Sequence, residues 1–371
     1  MVYRAIGLMS GSSLDGLDIA FVELQQQAGK WSYEILQAGC YPYTDEWAQR
    51  LKGATLLSAR DYQLLHTDYG HYTGQQVNKF IEEHQLHYKV AVIASHGHTT
   101  FHLPGQKMTA QLGDGAAIAA ETQLPVVSDL RALDIAFGGQ GAPIVPIGEK
   151  MLLGEFDFFL NLGGIANIST SLNVDNNPST PLRIIAFDIC PANRVLNMLV
   201  NELGKEYDDG GQIAASGNVN EALLSTVNAL DYYKLPHPKS LANDFGTDVV
   251  YPVIKNAGIE IKDAVRTYVE HIVVQIKNAV AGSRLPTSCS RLLATGGGAF
   301  NTFLIQRLSD SLKELNVEVI VPDKKLVNFK EALIMAFIGV LRWRQEYNVL
   351  SSVTGATRDS IGGALWTGQE A

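Results

Sequence analysis

Residues 7–18, Gly-Leu-Met-Ser-Gly-Ser-Ser-Leu-Asp-Gly-Leu-Asp, constrain this chain more than any other stretch. They join an apolar start, residues 2–6, to a second apolar run, residues 19–22. An apolar run, a loop of glycine, hydroxyl and carboxylate residues, and another apolar run predict a β-hairpin with an anion-binding tip. Glycine lets backbone N–H groups approach a phosphate closely, and serine adds hydroxyl donors. Asp15 or Asp18 suits a magnesium ion held through water. The same stretch also fits a tight hairpin with a purely structural role. No G-x4-G-K-[ST] occurs, which argues against a P-loop, and Gly7-Leu8-Met9-Ser10-Gly11 lacks the G-x-S-x-G spacing of a serine-hydrolase elbow.

Two further glycine loops follow apolar runs, at residues 161–169 and 295–301. Three such loops along one chain exceed what turns alone require, and they suit a nucleotide held between two domains. The first two would wrap phosphates and the third would pass the adenosine. Gly296-Gly297-Gly298 resembles a dinucleotide fingerprint, but Asn301 stands where G-x-G-x-x-G needs its third glycine. The chain has 371 residues, enough for two domains. Apolar runs alternate with helical periodicity, as in an α/β protein, with strands expected at 90–94, 124–127, 156–162, 183–187, 291–294 and 317–321. Helices are expected at 195–203, 261–281 and 330–344, and residues 173–181 read as a polar surface turn. Gly138-Gly139-Gln140-Gly141-Ala142-Pro143 is the expected domain crossover. It divides the chain at 1–142 and 143–351, with residues 352–371 returning to the first domain.

Composition excludes several classes. A formal charge of −9 leaves no basic surplus for general nucleic-acid binding. Three isolated cysteines form no C-x-x-C pair, and no apolar run is long enough for a membrane span. A soluble cytoplasmic protein without membrane or nucleic-acid partners is the expectation.

Asp188, after the apolar run 183–187 and before Pro191-Ala192-Asn193, is the expected general base, with capping of the helix that follows as the lesser alternative. His96, His98 and His102 form H-x-H-x3-H at a strand end, which fits metal ligation or hydrogen bonding to sugar hydroxyls. Arg131 suits a substrate carboxylate, or pairing with Asp129 or Asp134. Glu331 heads an apolar helix as a first-turn acid, and Lys239 is a further candidate without a clear role.

Taken with Ser95-His96-Gly97-His98-Thr99, Gln111-Leu112-Gly113-Asp114-Gly115, residues 128–131, Glu331-Ala332 and Thr354-Gly355-Ala356, these motifs run in a family's order. The chain resembles anhydro-N-acetylmuramic acid kinases, members of the actin/hexokinase/Hsp70 ATPase superfamily. The resemblance implies an α/β, two-domain actin-like ATPase with ribonuclease-H-like cores and an interdomain cleft, forming a homodimer. It implies ATP and Mg2+, and an anhydrosugar as small-molecule partner. Water opens 1,6-anhydro-N-acetylmuramic acid while O6 takes the γ-phosphate, giving N-acetylmuramic acid 6-phosphate and ADP in peptidoglycan recycling. Nucleotide binding is then expected of Gly11, Ser12, Ser13, Leu14, Asp15, Gly16, Leu17, Asp18, Gly163, Gly164, Asn167, Gly296, Gly297, Gly298 and Asn301. Sugar binding is expected of His96, His98, Asp114, Arg131 and Asn193, catalysis of Asp188 and Glu331, and metal binding of Asp15 and Asp188. The family's Asp-Thr-Gly-Pro-Gly/Ala-Asn motif reads here Asp188-Ile189-Cys190-Pro191-Ala192-Asn193. A non-catalytic sensor of sugar or nucleotide, or a kinase for a related anhydrosugar, is the alternative.

Overall fold

A computed structural model describes residues 1–11, 14–172, 183–236, 239–242, 244–282 and 289–368. Ser12 and Ser13 of the hairpin tip, and the expected surface turn at 173–181, lie outside the described residues. The chain divides into two compact units, Met1–Gly154 with Phe329–Ala371, and Glu155–Asn328. The division therefore falls later than residue 142, and the chain returns earlier than residue 352. The glycine-rich stretch 138–141 belongs to the first unit, wrapped around the fully buried Asp134. The Asp134 carboxylate accepts from the Gly141 nitrogen at 2.7 Å and from the Thr354 hydroxyl at 2.6 Å. Four glycine and proline signals in six residues thus mark a tight fold-back onto a buried acid.

In the first unit, β1 (Val2–Ser10), β2 (Gly16–Gln27) and β3 (Lys30–Pro42) form an antiparallel meander. β4 (Val92–Leu103) lies parallel to β1, β5 (Met108–Leu112) pairs antiparallel with β4, and β6 (Val126–Ser128) lies parallel to β4. In the second unit β7 (Phe158–Leu162), β8 (Ile165–Leu172) and β9 (Arg183–Pro191) repeat the meander. β10 (Ser290–Thr295) lies parallel to β7, and β11 (Val317–Ile320) lies parallel to β10. Back in the first unit, β12 (Ala364–Trp366) closes the sheet edge antiparallel to β6. The strand orders β6-β4-β1-β2-β3 and β11-β10-β7-β8-β9 are the same order and the same pairing senses twice. This is the duplicated ribonuclease-H-like topology.

Parallel neighbours need crossovers, and helices supply them. Ala59–Glu83 precedes β4 and Ile261–Ala281 precedes β10. The second helix has the bounds its periodicity predicts, and Val265, Val269, Ile272 and Ile276 are fully buried at helical spacing. Each such side chain stabilises the fold by roughly 1.5–3 kcal/mol. The helix Lys324–Trp343 is broken at Phe329 (φ −119°, ψ 17°), so a second segment starts at Lys330, as the sequence suggests. This segment lies directly on β1: a Cβ on Gly7 would sit 1.8 Å from the Ala332 carbonyl oxygen. Gly7 is required for that approach, and Glu331 directly precedes the residue that packs on it.

Two strands extend beyond their expected ends. β4 continues past residue 94 through His96, His98 and His102, because its second half pairs with β5. β9 continues past Asp188 to Pro191. Asp188 is therefore inside a strand, opposite Asn167 and beside a bulge, and does not cap the helix Asn193–Asn201.

Candidate active site

In the first unit, polar side chains gather where β1 and β4 end together. Ser10 pairs with His98 across the sheet, and the Ser10 hydroxyl lies 3.0 Å from His98 Nδ1. Tyr43 donates its hydroxyl to Ser10 at 2.8 Å and lies 2.5 Å from the Tyr69 hydroxyl. This chain of hydroxyls fixes the residue that enters the hairpin tip. Gly97, at φ +73°, breaks the strand alternation between the two histidines. His96 accordingly meets a different partner: Arg131 donates Nε–H to His96 Nε2 at 2.9 Å, and His96 Nδ1 lies 2.9 Å from the Gly97 carbonyl oxygen. Burial pushes His96 down to about 3, the Arg131 charge acting in the same direction, and burial holds His98 at about 4. Both rings are neutral at neutral pH. A cation already sits on His96 Nε2, so the H-x-H pair is not a metal-binding pair.

Carboxylates collect in the same unit. Burial pushes Asp18 up to about 6, with a hydrogen bond from Cys40 opposing and the charges of Asp15 and Glu331 adding to the rise. Burial likewise raises Glu331, opposed by Lys330 and Arg131. Lys330 Nζ bonds Glu149 Oε1 at 2.8 Å in a buried ion pair. Arg131 pairs with neither Asp129 nor Asp134; burial lowers it to about 10, with Glu331 pulling the other way. Asp114 Oδ1 accepts from the Ala116 nitrogen at 2.9 Å and caps the helix Gly115–Thr122.

In the second unit the other two glycine loops come together. Asn193 Nδ2 donates to the Leu162 carbonyl oxygen at 2.9 Å, and the Asn193 nitrogen donates to the Gly163 carbonyl at 3.1 Å. A Cβ on Gly298 would lie 2.7 Å from Leu162 Cβ and 3.0 Å from Asn193 Oδ1; one on Gly296 (φ +81°) would lie 2.4 Å from Asn161 Oδ1. These two glycines are needed for loop-on-loop packing. Gly164 and Gly297 are different, because added Cβ atoms would meet nothing closer than 3.8 Å. Protein packing gives no reason for a glycine at either position, whereas a ligand lying against bare backbone does. Asn301 caps the helix Thr302–Lys313 through the Leu304 nitrogen at 3.0 Å. Asp188 Oδ2 accepts from the Leu241 nitrogen at 2.9 Å and the Ser240 hydroxyl at 3.3 Å, while its carbonyl accepts from the Tyr232 hydroxyl at 2.7 Å. Burial raises its carboxyl above the usual range despite those two bonds.

A family model described as anhydro-N-acetylmuramic acid kinase matches residues 3–368. The chain belongs to the anhydro-N-acetylmuramic acid kinase family. Relatives of that name from Hydrogenovibrio crunogenus and Francisella tularensis subsp. novicida are 33% and 34% identical, each match covering 97% of both chains. Among solved structures, the ADPNP-bound activator of the 2-hydroxyisocaproyl-CoA dehydratase from Clostridium difficile is 14% identical, covering 92% of this chain and 96% of its own, with a TM-score of 0.44. A ROK family glucokinase from Streptomyces griseus, in complex with glucose and AMPPNP, is 10% identical, covering 91% and 99%, with a TM-score of 0.40.

Within this member of the family, the expected site residues fall into two sets. His96, Arg131, Glu331, Asp15 and Asp18 belong to the first unit, with His98 and Ser10 beside them. Asp188, Asn167, Asn193, Gly163, Gly164 and Gly296–Gly298 belong to the second. Gly16 has a packing role, since its Cβ would lie 2.6 Å from the Tyr41 carbonyl oxygen on β3. Leu17 is a buried core residue beside it, and Leu14 packs on the aromatic cluster of Tyr69. Ile189 and Cys190, which stand where the family has threonine and glycine, are buried in the second core and face no solvent. Tyr43, Tyr232, Ser240 and the Lys330–Glu149 pair escaped sequence reasoning. Only Lys330, a charge heading an otherwise apolar helix, carried a signal.

Among the described residues no three His, Cys, Asp or Glu side chains are grouped to hold a metal. A magnesium ion carried by phosphate oxygens and water needs fewer protein ligands. Asp18, raised partly by Asp15 and Glu331, fits such an ion, because a dication would offset that repulsion. Among the same residues, no helix is long and apolar enough to cross a membrane.

Proposed function

We propose that the chain uses ATP to phosphorylate O6 of 1,6-anhydro-N-acetylmuramic acid while water opens its anhydro bridge. The observation that supports this most directly is in the second unit. Gly164 and Gly297 leave backbone open to a ligand, and Asp188, with a raised carboxyl, lies on β9, the strand that pairs with β8. In this reading Asp188 Oδ2 is held by Leu241 and Ser240, and Oδ1 takes a proton from the attacking water. The water oxygen bonds the anomeric carbon, the bond from that carbon to O6 breaks, and O6 bonds the γ-phosphorus as ADP leaves. The proton on Asp188 then passes to solvent.

Gly11, Ser12, Ser13 and Asp15 of the first hairpin, with Gly163, Gly164, Asn167 and Gly297, contribute to phosphate and nucleotide binding. Arg131 takes the lactyl carboxylate, and Glu331 sets the charge around it. A magnesium ion, held with the phosphates near Asp15 and Asp18, would offset charge on the transferred group. A homodimer in the cytoplasm, serving peptidoglycan recycling, completes the reading. The test is ADP release from purified protein with a panel of anhydrosugars, and mass analysis of the product for a phosphate on the ring-opened sugar. No sugar-dependent ADP release with any of them would overturn it in favour of a binding protein without turnover.

A further inference from the structure

Arg131 is a partly buried cation whose side chain has an unusual partner. Most buried arginines face a carboxylate. Here, among the described residues, the only side-chain hydrogen bond of Arg131 runs from Nε–H to His96 Nε2, at 2.9 Å. His96 can accept it only as the neutral tautomer carrying its proton on Nδ1, and the Gly97 carbonyl oxygen lies 2.9 Å from that nitrogen to receive it. His96 is itself buried at 3% exposure, on a strand fixed on both sides by β1 and β6. The remaining four N–H donors of the guanidinium project from the other end of a planar group whose orientation the imidazole sets. A carboxylate bonded at Nε would neutralise the cation directly; the neutral imidazole anchors it without adding charge, while Glu331 acts on the guanidinium electrostatically.

We infer that His96 is a positioning residue that orients Arg131 for the substrate carboxylate through a neutral Nε2 acceptor, and that it does not itself touch the sugar. This rests on the reading of Arg131 as the carboxylate-binding residue, and makes His96 a determinant of preference for anhydrosugars carrying a lactyl group. Gly97 has a share in the arrangement, since its positive φ turns its carbonyl toward His96 Nδ1 and sends His98 to Ser10 instead.

The test compares 1,6-anhydro-N-acetylmuramic acid with the same anhydrosugar lacking the lactyl ether, in the full-length protein. His96→Leu should raise KM for the first sugar about tenfold, leaving kcat and the KM of the second within about twofold. His96→Gln, whose Oε1 can stand near the place of Nε2, should recover most of that loss. In an Arg131→Ala background His96→Leu should add nothing further. Equal KM changes for both sugars, a fall in kcat alone, or additive effects of the two substitutions would overturn the role of His96. If Arg131→Ala itself fails to distinguish the sugars, the reading of Arg131 falls, independently of His96. Should His96→Leu not fold, nitrogen-15 spectra of the unaltered protein decide the acceptor state. An Nδ1–H tautomer is expected at neutral pH, and an Nε2–H or doubly protonated ring would overturn the inference.

Discussion

The hairpin tips β1–β2 and β7–β8 occupy corresponding places in the two sheets, yet they are built differently. The last pair of the first, Ser10 with Leu17, encloses residues 11–16; the last pair of the second, Leu162 with Ala166, encloses only 163–165. The first tip is bordered by ionisable groups, with Asp15 and Asp18 on the hairpin and Glu331 acting on Asp18. The second is bordered by amides, Asn161, Asn167 and Asn193, and its carbonyls are tied to the start of the helix Asn193–Asn201. Its nearby carboxylate, Asp188, is on the next strand. One topology thus supplies a longer acidic tip suited to a hydrated cation and a short neutral tip suited to bare phosphate. The glycines divide the same way. Gly16 is needed because β3 is close, whereas Gly164 has open space around its α-carbon.

The comparison can be broken most sharply at Asp188. Asp188→Asn should lower kcat by at least ~10²-fold while sugar and ATP still bind, because an amide cannot take the water's proton. ADP release together with calorimetric binding checks this. Near-normal turnover by a folded variant would move the base to the acids of the first unit. Its raised carboxyl also predicts a rate that climbs with pH until Asp188 ionises, above the ordinary carboxylate range, and a pH–rate profile reads that limb directly.

Gly164→Val should weaken ATP binding by about tenfold or more with little change in melting temperature, since only a ligand needs the space. Gly16→Val should do the reverse: a loss of about 1–3 kcal/mol of stability from the clash with the β3 backbone. Thermal unfolding and nucleotide titration on both variants separate the two tips. If Gly164→Val unfolds the protein while binding per folded molecule is unchanged, the functional reading of that glycine is lost.

The smallest effect concerns Asp18. Its carboxyl is raised from 3.8 to about 6 in the folded chain, so the folded state holds an extra proton between those values. Its contribution to stability is complete below the unfolded value and is lost as pH rises through about 6. Asp18→Asn should remove this fall, on the order of 1–2 kcal/mol once partial solvent screening is allowed for. Denaturant unfolding at several pH values tests it. An unchanged slope would mean that Asp18 is not the acid that the first tip strains.

Much of the fold was legible along the chain because it follows local periodicity. The helix Ile261–Ala281 and the second hairpin carry their patterns in single runs of residues. The glycine loops were legible as loops, but not as two kinds of glycine, because the distances from Gly16 to Tyr41 and from Gly298 to Leu162 join residues remote in sequence. The stretch 138–141 looked like a linker because its buried partner, the carboxylate of Asp134, is visible only when Thr354 is brought against it.

Local residue order by itself determined that this chain would form hairpins tipped with glycine, amphipathic crossover helices and a family-specific order of motifs. Alternation, periodicity and turn chemistry act between near neighbours, so they can be read from one strand of text. What only the tertiary structure decided is the work of individual side chains: that His96 holds Arg131 and no metal, that Asp114 and Asn301 cap helices, and that Asp188 lies within a strand with one oxygen fixed by the residues 240–241. The roles of His96 and Asp188 depend on desolvation and on hydrogen bonds formed across tens of residues, which no local pattern encodes. The two caps are local bonds, but which of a carboxylate's or amide's possible roles it takes is settled only by the helix built beside it.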